Sequence, residues 1–69
     1  MKLSARNVLK GTVEKIVHGS VNSEVLIKVA DNVHVVAMIS KDSAEHLGLK
    51  EGGPAYAIIK ASTVIVGAD

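Results

Sequence analysis

The segment from Val21 to Val29 alternates between apolar and polar side chains, and this pattern constrains the fold more than any other. Every second residue from Val21 onwards is apolar except Ser23, and the residues between them are polar except Leu26. A period of two residues is typical of a β-strand that buries one face. We therefore predict a strand here, with Leu26 as an apolar residue that a monomer would leave exposed.

Four other apolar runs also predict strands, and residues that favour turns separate most of them. The first run starts at Val8 and includes residues 12–18, with Val13 and Val17 on one face. The other runs are residues 33–39, 55–60 and 63–67. The expected turns are Gly19-Ser20, Asp31-Asn32 and residues 51–54. A short side chain such as that of Asn32 tolerates the left-handed conformation that a tight turn needs.

The one convincing helix signal extends from Ser40 to Gly48. Ser40 or Asp42 supplies a side chain that can cap the N-terminus, and Asp42 and Glu45 have the spacing of a capping box. Gly48 stands where a helix C-terminus needs the left-handed conformation. These residues predict a helix of about two turns.

The order of three strands, a short helix and two strands is that of an OB-type Greek-key barrel. We predict one all-β domain over residues 1–69, a five-stranded antiparallel barrel with one short helix between strands 3 and 4. Other small barrels with a helical turn in this place remain open. A domain of this length buries only about 60% of the surface of its unfolded chain, and this one has no Cys for disulfides. We therefore expect a homo-oligomer.

Charge and composition argue against several classes of function. The net charge is +1 and the only aromatic residue is Tyr56, so the chain lacks the basic groove and stacking platforms of barrels that bind nucleic acid. No apolar run approaches the roughly 18 residues of a membrane span and no export signal is visible, so we expect a cytoplasmic protein without a membrane partner. No carboxylate pair, Cys nucleophile or Ser/His motif indicates catalysis.

Hydrogen-bond donors gather in three places that are far apart in the sequence. Residues 4–7 combine a serine, an arginine and an asparagine with no carboxylate among them. Ser40 and Ser43 lie at the start of the predicted helix, and Lys60 ends the fourth predicted strand. Such clusters suit an anion. Each also has a simpler interpretation, namely a polar lead-in to a strand, a pair of helix caps and a solvated lysine.

Three blocks of the sequence resemble one known family along essentially the whole chain. The blocks are Ser4-Ala5-Arg6-Asn7 with Leu9 and Gly11, residues 39–43 with 47–49 and 51–52, and Ile59-Lys60 with Ser62 and Val64. In these blocks the chain resembles the molbindins, small molybdenum-pterin-binding or molybdate-binding proteins. It also resembles the related domains of molybdate-responsive regulators and transporter ATPases.

The resemblance implies an assembly as well as a ligand. It implies an OB-like barrel that forms a homohexamer, a trimer of dimers, with oxyanion sites at the subunit interfaces. Molybdenum would be bound there as an oxyanion and not by metal-ligating side chains. The ligands that the resemblance implies are Ser4, Arg6 and Lys60, with Ser43 and Ser40 from the helix start, and Asn7 as a further member of the motif.

The chain departs from the family pattern directly after Lys60. Many molbindins have a serine at the next position, whereas this chain has Ala61, with Ser62 one place later. The Ala61 backbone N–H can still donate to an anion there. The family also has a second type of oxyanion site near its symmetry axis, which the resemblance places on Gly19, Ser20, Val21, Asn22 and Ser23.

We therefore expect a protein that binds and stores molybdate or tungstate at subunit interfaces, without catalysis and without a catalytic cofactor. The alternative is a small barrel whose apolar faces bind a partner protein, while the donors only cap or solvate. A pterin ligand is a third interpretation. The single aromatic residue disfavours it, because a pterin ring normally needs a stacking surface.

Overall fold

The structure is a computed structural model that describes all 69 residues. Its elements in chain order are β1 (Asn7–His18), β2 (Asn22–Ala30), β3 (Val33–Ser40), α1 (Lys41–His46) and β4 (Pro54–Ile59), followed by a 3₁₀ turn at Ala61–Thr63. The four strands form one antiparallel sheet in the order β3-β2-β1-β4. The predicted all-β class with one short helix after the third strand is confirmed.

β1 organises the sheet, because its two halves pair with different neighbours. Residues 7–12 pair with β4, and residues 12–18 pair with β2. Gly11 lies where the halves meet, and a Cβ atom at this position would be 2.3 Å from the Lys28 carbonyl oxygen. Only glycine allows so close an approach of two backbones. The sheet curls around β1 and leaves β3 and β4 as its two edges.

A β-bulge in β1 explains one wrong prediction. The register of β1 against β2 shifts between Val13 and Lys15, which leaves Glu14 as an extra residue. An extra residue inverts the alternation of side chains beyond it. Val13 is fully buried, whereas Val17 is exposed and Ile16 packs against the core in its place. Val13 and Val17 therefore do not share a face.

β2 carries the predicted alternation with two differences. Ser23, Val25 and Ile27 are all buried on the inner face. Val21 precedes the strand and is exposed. Leu26 is half-buried and not exposed as predicted, because β1 and β3 flank it on the outer face of the sheet.

Residues in the left-handed backbone conformation follow one strand and the helix, at the positions where the sequence predicts that these elements end. Asn32 has a φ of 59° in the turn between β2 and β3. Gly48 has a φ of 66° directly after Leu47, the C-cap of α1. Asx and glycine residues adopt this conformation at the least steric cost, which explains why the strand and the helix end there.

The N-terminus of α1 is capped by Ser40, whose side chain accepts a hydrogen bond from the Ser43 N–H. Asp42 is not the cap; it lies in the first turn. The predicted capping box of Asp42 and Glu45 is wrong, because the residue three places after the cap is Ser43. α1 has six residues, and no helix of the structure is long and apolar enough to cross a membrane.

The fifth predicted strand, residues 63–67, is not formed. The chain turns at residues 61–63, and the C-terminal tail, residues 64–69, has no regular structure. Its apolar side chains are exposed, with Ile65 at 94% and Val66 at 87% of full accessibility. A strand needs a hydrogen-bonded neighbour. The tail pairs with no strand of its own chain, so the strand count is four and not five.

The core is small, because the sheet does not close over its own inner face. Only eight of the 69 residues are buried, and the central cluster is Val13, Val25, Ile27, Ala55 and Ala57. An open apolar groove of about 320 Å³ lies against this cluster, lined mainly by apolar residues of β2, β3 and β4. A single chain thus leaves much of its apolar inner surface in contact with water.

Candidate anion-binding site

The start of β1 and the end of β4 bring two of the three predicted donor clusters together. Asn7 and Ile59 are partners in the β1–β4 ladder. The residues before Asn7 and after Ile59 therefore leave the sheet side by side. They line an open depression of about 380 Å³, here called the anion depression, whose residues are Ser4, Ala5, Arg6, Lys60, Ala61 and Ser62.

The anion depression contains cationic and hydroxyl donors but no carboxylate. Neither of the two salt bridges of the chain involves Arg6 or Lys60. Both residues are exposed, and neither makes an ion pair with a carboxylate. No group of three or more His, Cys, Asp or Glu side chains is placed to hold a metal ion. The charge at this place therefore favours an anion.

Asn7 belongs to the predicted ligand set, but its side chain does not line the anion depression. Its Nδ2 donates a hydrogen bond of 3.1 Å to the Ile59 carbonyl oxygen, in a half-buried position. Arg6 precedes one partner of this bond, and Lys60 follows the other. The Asn7 amide thus joins the two segments that carry the cationic side chains.

Thr63 is a residue that the sequence alone did not bring forward. The Lys60 carbonyl oxygen accepts a hydrogen bond of 2.9 Å from the Thr63 N–H and one of 2.7 Å from the Thr63 hydroxyl. Both bonds close the 3₁₀ turn that follows Lys60. The available signal was a threonine three residues after Lys60, the predicted end of the fourth strand, since threonine hydroxyls often bond to nearby backbone groups.

Ser40 and Ser43 form the third donor cluster, which lies apart from the other two. Ser43 lines a different open depression on α1, together with Asp42, His46 and Leu47. None of these residues lines the anion depression. A single chain therefore brings Ser4, Arg6 and Lys60 together, but it does not add Ser43 to them.

The turn between β1 and β2, predicted as a second oxyanion site, uses several of its own polar groups internally. The Gly19 N–H donates to the Asn22 carbonyl oxygen over 2.7 Å, and the Val21 carbonyl oxygen accepts from the Lys41 N–H over 2.8 Å. The Ser23 hydroxyl is buried and lies 2.7 Å from His18 Nδ1. These groups stabilise the turn, and a second oxyanion site here stays a prediction.

Comparison with known proteins identifies the family of this chain. Residues 3–66 match the TOBE domain. The chain belongs to the TOBE domain family. It is 45% identical over 69 residues to a probable molybdenum-pterin-binding protein of Haemophilus influenzae, and the match covers 100% of both chains. The predicted resemblance to the molbindins is therefore confirmed.

This TOBE domain is also similar to solved structures of molybdate-binding proteins. One is a molybdate-binding protein from Sporomusa ovata, with a TM-score of 0.90 and 35% identity over 99% of this chain and 100% of that chain. Another is the cytoplasmic molybdate-binding protein ModG with molybdate bound, with a TM-score of 0.94 and 45% identity over 100% of this chain and 49% of that chain. The likeness confirms the OB-like fold class.

Proposed function

We propose that this TOBE domain binds molybdate or tungstate and that residues 1–69 form a single oxyanion-binding domain without catalytic activity. The observation that carries the proposal is the anion depression, where Arg6 and Lys60 meet beside Ser4 with no carboxylate among the lining residues. The relatives named above are molybdenum-pterin-binding or molybdate-binding proteins, which supports the same ligand.

The donors of the anion depression match the chemistry of this ligand. Near neutral pH, molybdate is a fully deprotonated tetrahedral dianion, so all of its oxygens accept hydrogen bonds and none donates. Arg6 offers a planar fork of donors, Lys60 offers an ammonium group, and Ser4 offers a hydroxyl. The Ala61 N–H and the Ser62 hydroxyl are further donors in reach of the same depression.

The complete site requires a second copy of the chain. Ser43, with Ser40 beside it, lies outside the anion depression of its own chain. We propose that the helix start of a neighbouring copy supplies the Ser43 hydroxyl as a donor, with Ser40 beside it as the helix cap. The site would then form only at a subunit interface, and anion binding would depend on assembly.

Two apolar surfaces support such an assembly. The first consists of the open apolar groove and the exposed C-terminal tail, which together suggest that the tail of one copy fills the groove of another. The second lies on the outer face of β3, where Val36 and Met38 are 61% and 62% exposed. Two separate contact surfaces on one small chain suit a closed homo-oligomer. We propose a hexamer built as a trimer of dimers.

The biological role that we propose is storage of the oxyanion in the cytoplasm. One similar structure is that of a cytoplasmic molybdate-binding protein, which supports the location. The second site at Gly19–Ser23 remains part of this proposal.

Isothermal titration of the purified protein with sodium molybdate, at micromolar protein concentration, tests the function directly. We expect saturable binding, and binding of sodium tungstate in a parallel titration. If neither molybdate nor tungstate binds, the storage role is ruled out and a protein-interaction module is favoured. Near-ultraviolet absorbance of the same sample reports on a bound pterin, which we expect to be absent.

A further inference from the structure

We propose that Thr63 and Asn7 are positioning residues that hold the backbone at Lys60 in a fixed place relative to Arg6. The inference rests on the proposed function, because it concerns how the anion depression selects its ligand. Neither side chain lines the depression. Each instead bonds a backbone carbonyl oxygen in the segment that carries Lys60.

Thr63 fixes this segment from the C-terminal side. The 3₁₀ turn has only three residues, and the side chain of its N-cap, Lys60, makes no capping hydrogen bond. Short 3₁₀ turns have poor hydrogen-bond geometry and little stability of their own. The Thr63 hydroxyl adds a bond of 2.7 Å to the Lys60 carbonyl oxygen, which already accepts the Thr63 N–H. Two bonds to one carbonyl hold the turn closed where one would let it open more often.

Asn7 fixes the same segment from the N-terminal side. Its bond to the Ile59 carbonyl oxygen connects residues 52 positions apart in the sequence and is half-buried. Successive carbonyl groups, those of Ile59 and Lys60, are thus each held by a side chain. Because Asn7 directly follows Arg6, its bond also ties the backbone of Arg6 to that of Lys60.

A fixed spacing between two cationic side chains affects affinity and selectivity. Both side chains are exposed and long, so a mobile backbone would add to the freedom that they lose when an anion binds. A mobile backbone would also let the cations close around a smaller tetrahedral anion. Rigid support from surrounding hydrogen bonds is what holds a binding geometry to a fraction of an ångström. The two positioning residues should therefore favour molybdate over the smaller sulfate.

The test compares Thr63→Val, which removes the hydroxyl but keeps the shape, with Thr63→Ser, which keeps the hydroxyl. Titrations of sodium molybdate and sodium sulfate give, for each protein, the dissociation constant of sulfate divided by that of molybdate. We expect Thr63→Val to weaken molybdate binding roughly two- to tenfold and to weaken sulfate binding less, so that this ratio falls and selectivity for molybdate narrows. We expect Thr63→Ser to retain the wild-type ratio. Asn7→Leu, which lacks the amide, should narrow the ratio as Thr63→Val does.

A second measurement separates positioning from general loss of structure. Backbone NMR relaxation of the ligand-free protein should show increased motion at residues 60–63 in Thr63→Val and an unchanged core. Equal selectivity and equal mobility in the valine and serine variants would overturn the inference. Failure of the wild-type protein to bind molybdate would instead overturn the proposed function, and the relaxation data would still decide whether Thr63 immobilises the turn.

Discussion

The Ser43 N–H donates to the Ser40 hydroxyl oxygen over 3.0 Å, and the Ser40 hydroxyl donates in turn to Ser43 Oγ over 2.8 Å. Ser40 therefore caps α1 and leaves the hydrogen of the Ser43 hydroxyl free to point outwards. We expect Ser40→Ala to lower the free energy of unfolding by about 1 kcal/mol, the usual cost of a lost N-cap. Chemical denaturation measures this change. Ser43→Ala should leave stability closer to wild type and weaken molybdate binding more than its effect on stability explains.

Arg6 supplies the charged fork of the proposed site. Arg6→Ala should weaken molybdate binding by roughly ten- to a hundredfold, because a hydrogen bond to a charged group contributes about 1.5–3 kcal/mol. Arg6→Lys should recover only part of this loss, since an ammonium group cannot bind two oxygens in one plane. Lys10→Ala is the matched control, because it removes an exposed positive charge that does not line the anion depression. Equal losses in Arg6→Ala and Lys10→Ala would point to non-specific attraction.

The absence of a carboxylate among the lining residues predicts discrimination against phosphate. Near neutral pH phosphate keeps at least one proton, which would face a donor or a cation in this depression. Once the proposed subunit interface buries the site, an unmatched polar contact costs about 1–3 kcal/mol, or roughly ten- to a hundredfold in affinity. Competition titrations should therefore rank molybdate and tungstate above sulfate, with phosphate weakest. Displacement of molybdate by phosphate as readily as by sulfate would contradict a site made only of donors.

The C-terminal tail predicts the oligomeric state. Ile65→Asp should dissociate the oligomer, because it places a charge on a side chain that we propose to be buried in the groove of another copy. Ala68→Asp adds the same charge near the end of the tail and serves as the control. Sedimentation velocity and molybdate titration of both variants give assembly and binding. We expect Ile65→Asp to lose the two together, whereas an oligomer unaffected by this change would exclude the tail from the interface.

Gly11 predicts a steric limit in the middle of β1. A methyl group there would lie 2.3 Å from the Lys28 carbonyl oxygen, and two paired strands cannot separate without loss of hydrogen bonds. Gly11→Ala should destabilise the fold by about 1–3 kcal/mol, as overpacking of a tight site does. Gly67→Ala is the control for the loss of glycine flexibility, since within its own chain a Cβ atom there has no neighbour within 4 Å. Urea denaturation compares the two variants.

Local patterns predicted the parts of the fold that depend on neighbouring residues. The strand β2, the turn at Asn32 and the helix end at Gly48 all followed from spacing or from a single favoured conformation. Val17 was assigned to the wrong face because a bulge at Glu14 lies between it and Val13. No residue type in this segment predicts a bulge, since a bulge arises from the pairing of two strands.

The same distinction applies to the candidate site. The chemistry of the side chains and the resemblance to the molbindins both predicted Ser4, Arg6 and Lys60 as site residues. The structure brings these three residues to one depression. The bond between Asn7 and Ile59 could not be predicted, because it depends on the register of strands 52 residues apart. Thr63 was missed for a related reason, since its hydroxyl has a role only where the chain turns after β4.

By itself, the sequence determined four of the five predicted strands, the helix and the turns, and which donors are available to an anion. These properties depend on side-chain period, backbone preference and functional groups, all of which are local. The tertiary structure alone decided which face of β1 is buried after the bulge, which donors meet, and that the fifth predicted strand stays unpaired. Such outcomes depend on strand register and on whether an edge finds a partner, and both involve residues that are distant along the chain.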